Sequence, residues 1–450
     1  MPRSKEKLLL KGGKYLGAGT YGCGFNTKSK CISDDREQNL KQNIEKNKHW
    51  NIATKRFFDK RYYEKEYHDL KKVQTIDPKS LFTVPLFGRC TTGKNQDKEY
   101  FMCSERDIGK QIVMGYGGQN IDIDDVNFTD KNIVAMWKGL PKLLQGLQKL
   151  HMKGFVHGDL KFDNLLFDVD MSRFNLIDFG LMTSTSKHDT PLSISRRKNY
   201  SWYPIETYLI RDIYHYVIEL DDYNPSTFDV SKLIENLDEN AIRSAYEHKW
   251  YQNHFPKDSI PLIKKAYQLF VQYYKRAFTR IKNKRGNQRI KPDTTNEYET
   301  NLILKESCDD AVKRIMKNLS DRYDIFGLGV VLMRYLSYGS SNIESLSNRG
   351  KETYIKIGTL ARMMANPNWT QRLKIGNAMK EYTKIDKSTF PNPMKHEYIE
   401  IEQSINKSLD RFHKTTSHDE DSHMNKKINI KKHTKKHTKN KQEVKLNKQK

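Results

Sequence analysis

A run of eight residues, 157–164, combines the side chains that phosphoryl transfer requires. Asp159 supplies a carboxylate, Lys161 an ammonium group two positions later and Asn164 a carboxamide five positions later. Fourteen residues beyond Asn164, Asp178 opens an Asp-Phe-Gly sequence after a strand-like run. A carboxylate can accept the proton of an attacking hydroxyl, an ammonium group can neutralise a moving phosphoryl group, and the oxygens of Asn164 and Asp178 suit a magnesium ion. The spacing therefore predicts a phosphoryl-transfer site.

These motifs resemble the catalytic loop and the metal-binding loop of eukaryotic-type serine/threonine protein kinases. The resemblance implies an α+β, bilobal protein-kinase fold with a small β-rich N-lobe and a larger helical C-lobe. It implies ATP as the phosphoryl donor, used with Mg²⁺ or with Mn²⁺ in its place. By the same resemblance Asp159 is the catalytic base, Lys161 neutralises phosphate charge, and Asn164 and Asp178 bind the metal. Lys161 favours Ser or Thr as the acceptor, since tyrosine kinases usually carry Ala or Arg nearby.

A glycine-rich stretch near the N-terminus predicts a flap over the phosphates. Gly17, Ala18, Gly19 and Gly22 follow a strand-like run, and no amphipathic helix comes after them, which favours a strand–turn–strand flap over a dinucleotide-binding turn. Glycines let the backbone approach phosphate oxygens and direct N–H groups at them. The family usually has Val two residues after the last glycine. Gly24 stands there instead, which predicts a loss of roughly 1–2 kcal/mol of nucleotide affinity.

A second strand-like run, ending at Lys55, resembles the strand that carries the phosphate-binding lysine of the family. The resemblance implies that Lys55 binds the α- and β-phosphates and that Ala53 borders the nucleotide. A helix predicted over residues 59–73 should supply a carboxylate partner for Lys55. Glu66 is preferred because a leucine lies one turn later, as in the family, and Glu64 is the alternative.

The run of residues 111–118 resembles the hinge between the two lobes. The resemblance implies that Met114 lies at the back of the adenine pocket. It also implies that the backbone of residues 115–117, which include Tyr116 and Gly117, hydrogen-bonds the adenine edge. A strand of this kind before glycines is common in other α/β cores, so its place in the order of motifs is the reason for the hinge interpretation.

Three landmarks of the larger lobe follow. A helix predicted over residues 131–153 packs under the catalytic loop. Glu206 ends a proline-containing segment that resembles the close of the activation segment, and its partner is predicted to be Arg372, with Arg362 as the competitor. Asp324 should open a buried helix and hold the catalytic-loop backbone by hydrogen bonds, although a simple helix N-cap is compatible with the same position.

Between Glu206 and Asp324 lie 117 residues where the family has about a dozen, which predicts a helical insertion over about 208–315. One helix should be capped by Ser259, and the basic run 280–286 is interpreted as a loop with a solvated face, or alternatively as a substrate or nucleic-acid contact. The predicted domains are a 1–10 extension, an N-lobe over 11–116 with a loop insertion at 27–48, a C-lobe over 117–395, and a basic disordered tail over 396–450.

The net charge of +25 and the pI of about 9.5 favour an acidic partner or substrate. The basic tail is able to contact nucleic acid or an acidic surface, or to act only as a solubilising segment. Five scattered cysteines without metal-ligand spacing predict a reducing compartment. The sequence predicts neither a signal peptide nor a membrane span, so we expect an intracellular, cytoplasmic protein that acts on protein substrates as a monomer.

Two rival functions stay open at this stage. Small-molecule kinases of the aminoglycoside and choline type also carry His-Gly-Asp followed by Asn, and a pseudokinase or scaffold would share the fold. Gly158 replaces the Arg that grips an activation-segment phosphate in many protein kinases, which predicts activity without phosphorylation of Ser195, Tyr200 or Ser201. Cys23 in the flap is predicted to reach the phosphates, or alternatively to be a small filler residue.

A weaker second resemblance concerns origin. The flap sequence Gly-Thr-Tyr-Gly-Cys, the hinge glycines, the long insertion and the Lys/Asn/Ile-rich composition resemble kinases encoded by large nucleocytoplasmic DNA viruses. That resemblance implies the host cytoplasm or the virion as the location.

Overall fold

The computed structural model describes residues 15–18, 22–26, 31–33, 36–92, 107–121, 128–185, 203–204, 206–207, five helical positions between 272 and 280, 297–366 and 368–388. Strands predominate in the described residues up to 121, and helices predominate from 128 onward. This distribution confirms the predicted α+β fold with a β-rich N-lobe and a helical C-lobe. The exact domain boundaries stay predictions.

The N-lobe is built on one antiparallel sheet with the strand order β1-β2-β4-β6-β5-β3. Its strands are β1 (Tyr15–Ala18), β2 (Gly22–Phe25), β3 (Cys31–Ser33), β4 (Ile52–Phe57), β5 (Leu86–Thr92) and β6 (Lys110–Gly115). β1 and β2 pair directly, so the strand–turn–strand form of the flap is confirmed. Gly22 faces β4 so closely that an added Cβ would collide with the carbonyl oxygen of Arg56, and only glycine fits there.

The stretch 27–48 is not the loop that the sequence predicted. It contains β3 and a helix, α1 (Arg36–Lys46). Leu40 of α1 is buried and packs in a cluster with Phe87 and Val113 of the sheet, and Asn43 Nδ2 donates to the Phe87 carbonyl at 2.8 Å. Leu40 and Ile44, one turn apart, are the two apolar residues of this helix, and two positions give only a weak apolar periodicity, which is why the sequence did not reveal the helix.

A disulfide joins Cys31 of β3 to Cys90 of β5, with the two Cα atoms 5.8 Å apart. Gln111 Nε2 lies 3.1 Å from the Cys90 sulfur. The expectation of uniformly reduced cysteines is therefore wrong for this pair, and Cys23 is disulfide-bonded as well. The two residues are 59 positions apart, and only the pairing of β3 with β5 brings them together.

Helix α2 (Lys60–Ile76) confirms the helix predicted over 59–73 and extends it by one turn. Asp59 caps it by accepting a hydrogen bond from the backbone N–H of Arg61. Tyr63, Leu70 and Val73 are buried on the side that faces the sheet. This packing fixes the rotation of the helix and hence the direction in which its carboxylates point.

The C-lobe contains the longer helices and several short strands. They are β7 (Gln119–Asn120), α3 (Asp130–Met152), β8 (Phe155–Val156), β9 (Leu165–Asp168), β10 (Arg173–Leu176), β11 (Thr183–Ser184), α4 (Glu297–Tyr338), α5 (Asn348–Met364) and α6 (Ile375–Lys387). Helix α3 confirms the helix predicted over 131–153, and its buried residues include Trp137, Leu140, Leu144, Leu147 and Leu150. β9 pairs with both β10 and β7, and β11 pairs with β8. These short sheets carry the two loops of the site.

Asp324 does not open a helix, because α4 begins at Glu297 and runs through it without a break. Both the predicted helix start and the N-cap alternative are therefore wrong. The helix continues through the predicted end of the insertion because three residues before Asp324 are buried at helical spacing: Ile315, Leu319 and Tyr323. Arg280 is also helical rather than part of a loop, and it pairs with Asp310 of α4.

Several other predictions fall on residues outside the described ranges. They are the 1–10 extension, the helix capped by Ser259, most of residues 208–296 of the insertion, the activation-segment hydroxyls and the 396–450 tail. In the part of the chain that the structure covers, no helix combines the length and apolarity needed to cross a membrane.

Candidate active site

The backbone of the catalytic loop is held by Asp324 of α4. The Oδ2 atom of Asp324 accepts the N–H of His157 at 2.7 Å, and its Oδ1 accepts the N–H of Gly158 at 2.9 Å. These two bonds confirm the predicted contact and satisfy a carboxylate that is buried. Gly158 has φ +78°, in the left-handed region that favours glycine.

The carboxylate of Asp159 lies among polar groups of its own loop. Asn164 Nδ2 donates to the Asp159 carbonyl at 2.8 Å and to Asp159 Oδ2 at 2.9 Å. The Lys161 ammonium nitrogen lies 3.6 Å from the same Oδ2. Asp159 is buried, with 8% of its surface exposed. The structure thus brings together the predicted base, the predicted phosphate-neutralising lysine and one predicted metal ligand.

Tyr203 completes the surroundings of Asp159 and was missed as a site residue. Its hydroxyl donates to Asp159 Oδ1 at 3.1 Å, and the residue is 3% exposed. The sequence signal available was its position three residues before Glu206, in the segment that ends beside the catalytic loop.

The predicted pairing of Glu206 with Arg372 is confirmed, which excludes Arg362 as the partner. Arg372 NH1 and NH2 contact Glu206 Oε2 and Oε1 at 3.1 and 3.0 Å, and both side chains are fully buried. Arg372 Nε also donates to the Asn366 carbonyl at 2.9 Å. A bidentate pair without solvent contact fixes the end of the segment that carries Tyr203.

Asp178 follows β10 in a left-handed conformation, with φ 58° and ψ 73°, which Asp tolerates better than most residues. Its Oδ1 accepts the N–H of Gly180 at 3.3 Å. Phe179 packs edge-on against the His157 ring with centroids 4.8 Å apart, and His157 Nε2 lies 3.1 Å from the Ile177 carbonyl oxygen. These contacts tie the second loop to the first.

The electrostatics of Asp178 favour its charged form. Burial alone would raise the pKa of its carboxyl, but the charge of Lys55 and the N–H of Gly180 outweigh burial and hold the pKa below its ordinary value. The Ile177 N–H, next to Asp178, donates to the Asn164 carbonyl at 3.0 Å, which joins the two loops. The ionised carboxylate of Asp178 and the carboxamide oxygen of Asn164 are hard-oxygen ligands of the kind that Mg²⁺ accepts together with phosphate oxygens. The residues present therefore fit the predicted metal.

Lys55 forms the predicted ion pair with Glu66. The distances from its Nζ to Glu66 Oε1 and Oε2 are 2.8 and 2.6 Å. Burial would lower the pKa of Lys55, but the charges of Glu66 and Asp178 and the hydrogen bond that Lys55 donates to Glu66 raise it above its ordinary value. Glu64, the alternative partner, instead pairs with Arg89. Lys55 is thus a firmly charged ammonium group in contact with α2 and within electrostatic reach of Asp178.

The flap residues lie in the β1–β2 hairpin. Gly17 pairs with Gly24, Ala18 pairs with Cys23, and Gly24 also pairs with Lys55 of β4, whereas Gly19 lies outside the described residues. Cys23 is completely buried and disulfide-bonded, so the prediction that its thiol reaches the phosphates is wrong. The phosphate-binding role of the glycines stays a prediction.

The predicted hinge runs out of β6, where Met114 pairs with Ala53 of β4. The N–H groups of Gly115 and Tyr116 donate to the carbonyls of Pro85 and Asn51, at 2.9 and 2.7 Å. The Gly117 carbonyl accepts from Asn175 Nδ2 at 2.7 Å. The N–H groups of Gly115 and Tyr116 are thus used inside the protein, and the expectation that the hinge backbone hydrogen-bonds adenine stays a prediction for the other backbone groups of residues 115–117.

Comparison with known proteins agrees with this geometry. The family model described as the protein kinase domain matches residues 13–203. The chain is 40% identical over 72 residues to the serine/threonine-protein kinase ste20 of Aspergillus fumigatus, covering 15% of this chain and 8% of that protein. It is also 40% identical over 57 residues to a probable serine/threonine-protein kinase of fowlpox virus, covering 13% and 19%.

A probable serine/threonine-protein kinase of Dictyostelium discoideum, fnkB, is 27% identical over 122 residues, covering 27% of this chain and 20% of that protein. The chain therefore aligns with a fifth or less of the length of each of these relatives. Among solved structures, the kinase PK-1 of Cydia pomonella granulovirus is 18% identical, with a TM-score of 0.25, over 39% of this chain and 53% of that one. Residues 13–203 therefore match the protein kinase domain model, and the geometry of the two loops agrees with the bilobal protein kinase fold.

Proposed function

We propose that this protein is a serine/threonine protein kinase that transfers the γ-phosphoryl group of Mg-ATP to protein hydroxyls. The observation that carries the proposal is the contact of Lys55 with Glu66 at 2.6 Å, while the charge of Asp178 raises the pKa of Lys55. A scaffold that had lost catalysis has no need to keep a phosphate-binding cation, Lys55, close enough to a metal-binding carboxylate, Asp178, for their charges to interact. The names of the three curated relatives support the Ser/Thr assignment.

The mechanism assigns one task to each side chain. Asp159 orients the acceptor hydroxyl and accepts its proton, and Lys161, 3.6 Å from Asp159 Oδ2, neutralises charge on the phosphoryl group that moves past it. Lys55 binds the phosphates of the donor. Asn164 and Asp178 would hold the metal, which when bound neutralises charge on the phosphate oxygens. Positioning and electrostatic stabilisation provide most of the rate.

The remaining expectations about cellular role are part of the same proposal. The partners are proteins with Ser or Thr acceptors. The viral origin, the intracellular location, the monomeric state and the contact of the basic tail with nucleic acid or an acidic surface stay predictions from the sequence.

Substitution of the base tests the proposal. The full chain is incubated with Mg²⁺ and γ-labelled ATP, with an acidic and a basic acceptor protein in separate reactions, followed by phosphoamino-acid analysis. We expect phosphoserine or phosphothreonine from the wild type, no steady-state turnover above background from Asp159→Asn, with only a residual rate in single-turnover experiments, and ATP binding close to wild type in that variant. Asp170→Asn is the matched control, because Asp170 is an exposed C-lobe carboxylate that pairs only at the surface with Lys131.

Three outcomes overturn the proposal. Equal turnover by Asp159→Asn and wild type would remove the assigned base. ATP binding without transfer to any protein, the chain itself included, would favour the pseudokinase. Labelling of an aminoglycoside or choline in preference to protein would favour the small-molecule kinase.

A further inference from the structure

Asp159 receives hydrogen bonds on both carboxylate oxygens from residues in two different segments. Asn164 donates to Oδ2 at 2.9 Å, and the hydroxyl of Tyr203 donates to Oδ1 at 3.1 Å. We propose that Tyr203 is a positioning residue, whose phenol fixes the plane of the catalytic carboxylate for the acceptor hydroxyl. This inference rests on the proposed kinase function.

Tyr203 is itself held firmly. It is 3% exposed and lies three residues before Glu206, whose bidentate pair with Arg372 is fully buried. Its ring also packs against Tyr323 of α4, with centroids 6.2 Å apart. A side chain that is restrained on both sides keeps its hydroxyl in one place, as a positioning residue requires. A residue that gates the site would instead have to move away from Asp159.

Two adjacent residues of α4, Tyr323 and Asp324, support different parts of the catalytic loop around Asp159. Asp324 holds the backbone immediately before Asp159, through His157 and Gly158, and Tyr323 packs against the residue that reaches the carboxylate. One turn of one helix therefore fixes both the main chain and the side chain of the base.

The hydroxyl of Tyr203 restricts rotation of the Asp159 carboxylate. With a donor on Oδ1 as well as on Oδ2, rotation about the Cβ–Cγ bond breaks at least one charge-assisted hydrogen bond. Removing the Tyr203 hydroxyl takes a donor away from Oδ1, while Asn164 and Lys161 still contact Oδ2, so the carboxylate is held less firmly in the plane that faces the acceptor. We expect turnover to fall by about 10-fold to 100-fold, while ATP binding, which is assigned to other residues, stays unchanged.

The test uses the full chain and the variant Tyr203→Phe, which keeps the ring and its packing. Steady-state kinetics should show a lower kcat, an unchanged KM for ATP and a melting temperature close to wild type. Tyr382→Phe is the matched control, because it removes a buried phenol hydroxyl that donates to the Trp137 carbonyl at 3.2 Å, where α6 packs on α3. We expect near wild-type kcat from the control.

A double-substitution cycle separates positioning from a general structural role. If Tyr203 acts through Asp159, then adding Tyr203→Phe to Asp159→Asn causes no further loss in single-turnover rate. Wild-type kcat in Tyr203→Phe, or additive losses in the cycle, overturns the inference while leaving the kinase proposal intact. Phosphate on Tyr203 in the purified protein also overturns it, since the residue would then be an acceptor. An inactive wild type overturns the kinase proposal and the inference with it.

Discussion

Substitution of Arg372 by Ala is the sharpest test of how the C-lobe holds the site. The side chain of Arg372 is fully buried, and among the described residues its charged partner is Glu206. Its guanidinium also lies over the Phe326 ring at 4.6 Å and donates to the Asn366 carbonyl. The substitution leaves the Glu206 carboxylate buried with its bidentate donor removed.

The magnitude follows from the burial of both partners. Removing one member of a buried ion pair costs about 3–5 kcal/mol of unfolding free energy, because the remaining charge keeps its desolvation penalty. Replacing both members by apolar residues of similar size removes that penalty. The pair Glu206→Leu with Arg372→Met should therefore cost less than Arg372→Ala alone. Turnover should also fall in Arg372→Ala, since the Glu206 end of the segment no longer fixes Tyr203.

The assay is urea unfolding followed by far-ultraviolet circular dichroism, with kinase turnover measured on the same preparations. Lys131→Ala is the control, because Lys131 and Asp170 form an exposed pair whose loss should change neither quantity measurably. A loss below about 1 kcal/mol in Arg372→Ala, or a larger loss in the apolar double variant, would refute the reasoning about the buried charge.

Three further predictions concern other parts of the chain. Phosphatase treatment should leave turnover unchanged, because Gly158 provides no guanidinium for a phosphate in the segment 186–202; activity that depends wholly on such a phosphate contradicts this. Leu40→Ala should lower the unfolding free energy by about 2–4 kcal/mol, since Leu40 is 1% exposed and joins α1 to the sheet; denaturation with an unchanged midpoint would show that α1 is not docked. The raised pKa of Lys55 means that its stabilising contribution is complete below the usual value of 10.5 and is lost as pH rises through the higher folded-state pKa. The difference in melting temperature between wild type and Lys55→Met should therefore be constant over the pH range in which Glu66 and Asp178 stay ionised, up to pH 10.5, and shrink above it.

The sequence predicted those parts of the site that depend on short motifs. The pairs Lys55–Glu66 and Glu206–Arg372 and the contact of Asp324 with the catalytic loop all appear in the structure as expected. In each case the side-chain types leave few alternatives, since a buried charge requires a partner of opposite sign or backbone donors.

The features that the sequence did not predict depend on pairing between distant segments. The Cys31–Cys90 disulfide needs β3 to lie beside β5, and the docking of α1 rests on Leu40 meeting the same edge of the sheet. The internal use of the hinge N–H groups of Gly115 and Tyr116 likewise depends on loops packed beside β6. None of these contacts leaves a periodic or compositional mark on the local sequence.

The continuity of α4 changes the meaning of the insertion. A helix that opened at Asp324 would leave the preceding residues as an appendage, but α4 starts 27 residues earlier and carries Tyr323 and Asp324 in its interior. The part of the insertion from Glu297 onward is therefore continuous with the element that holds the catalytic loop. Because a helix transmits displacement along its axis, a partner bound to that part of α4 would act on the support of Asp159 directly, without any contact to the cleft. Residues 297–315, the described end of the predicted insertion, are thus mechanically part of the active-site scaffold.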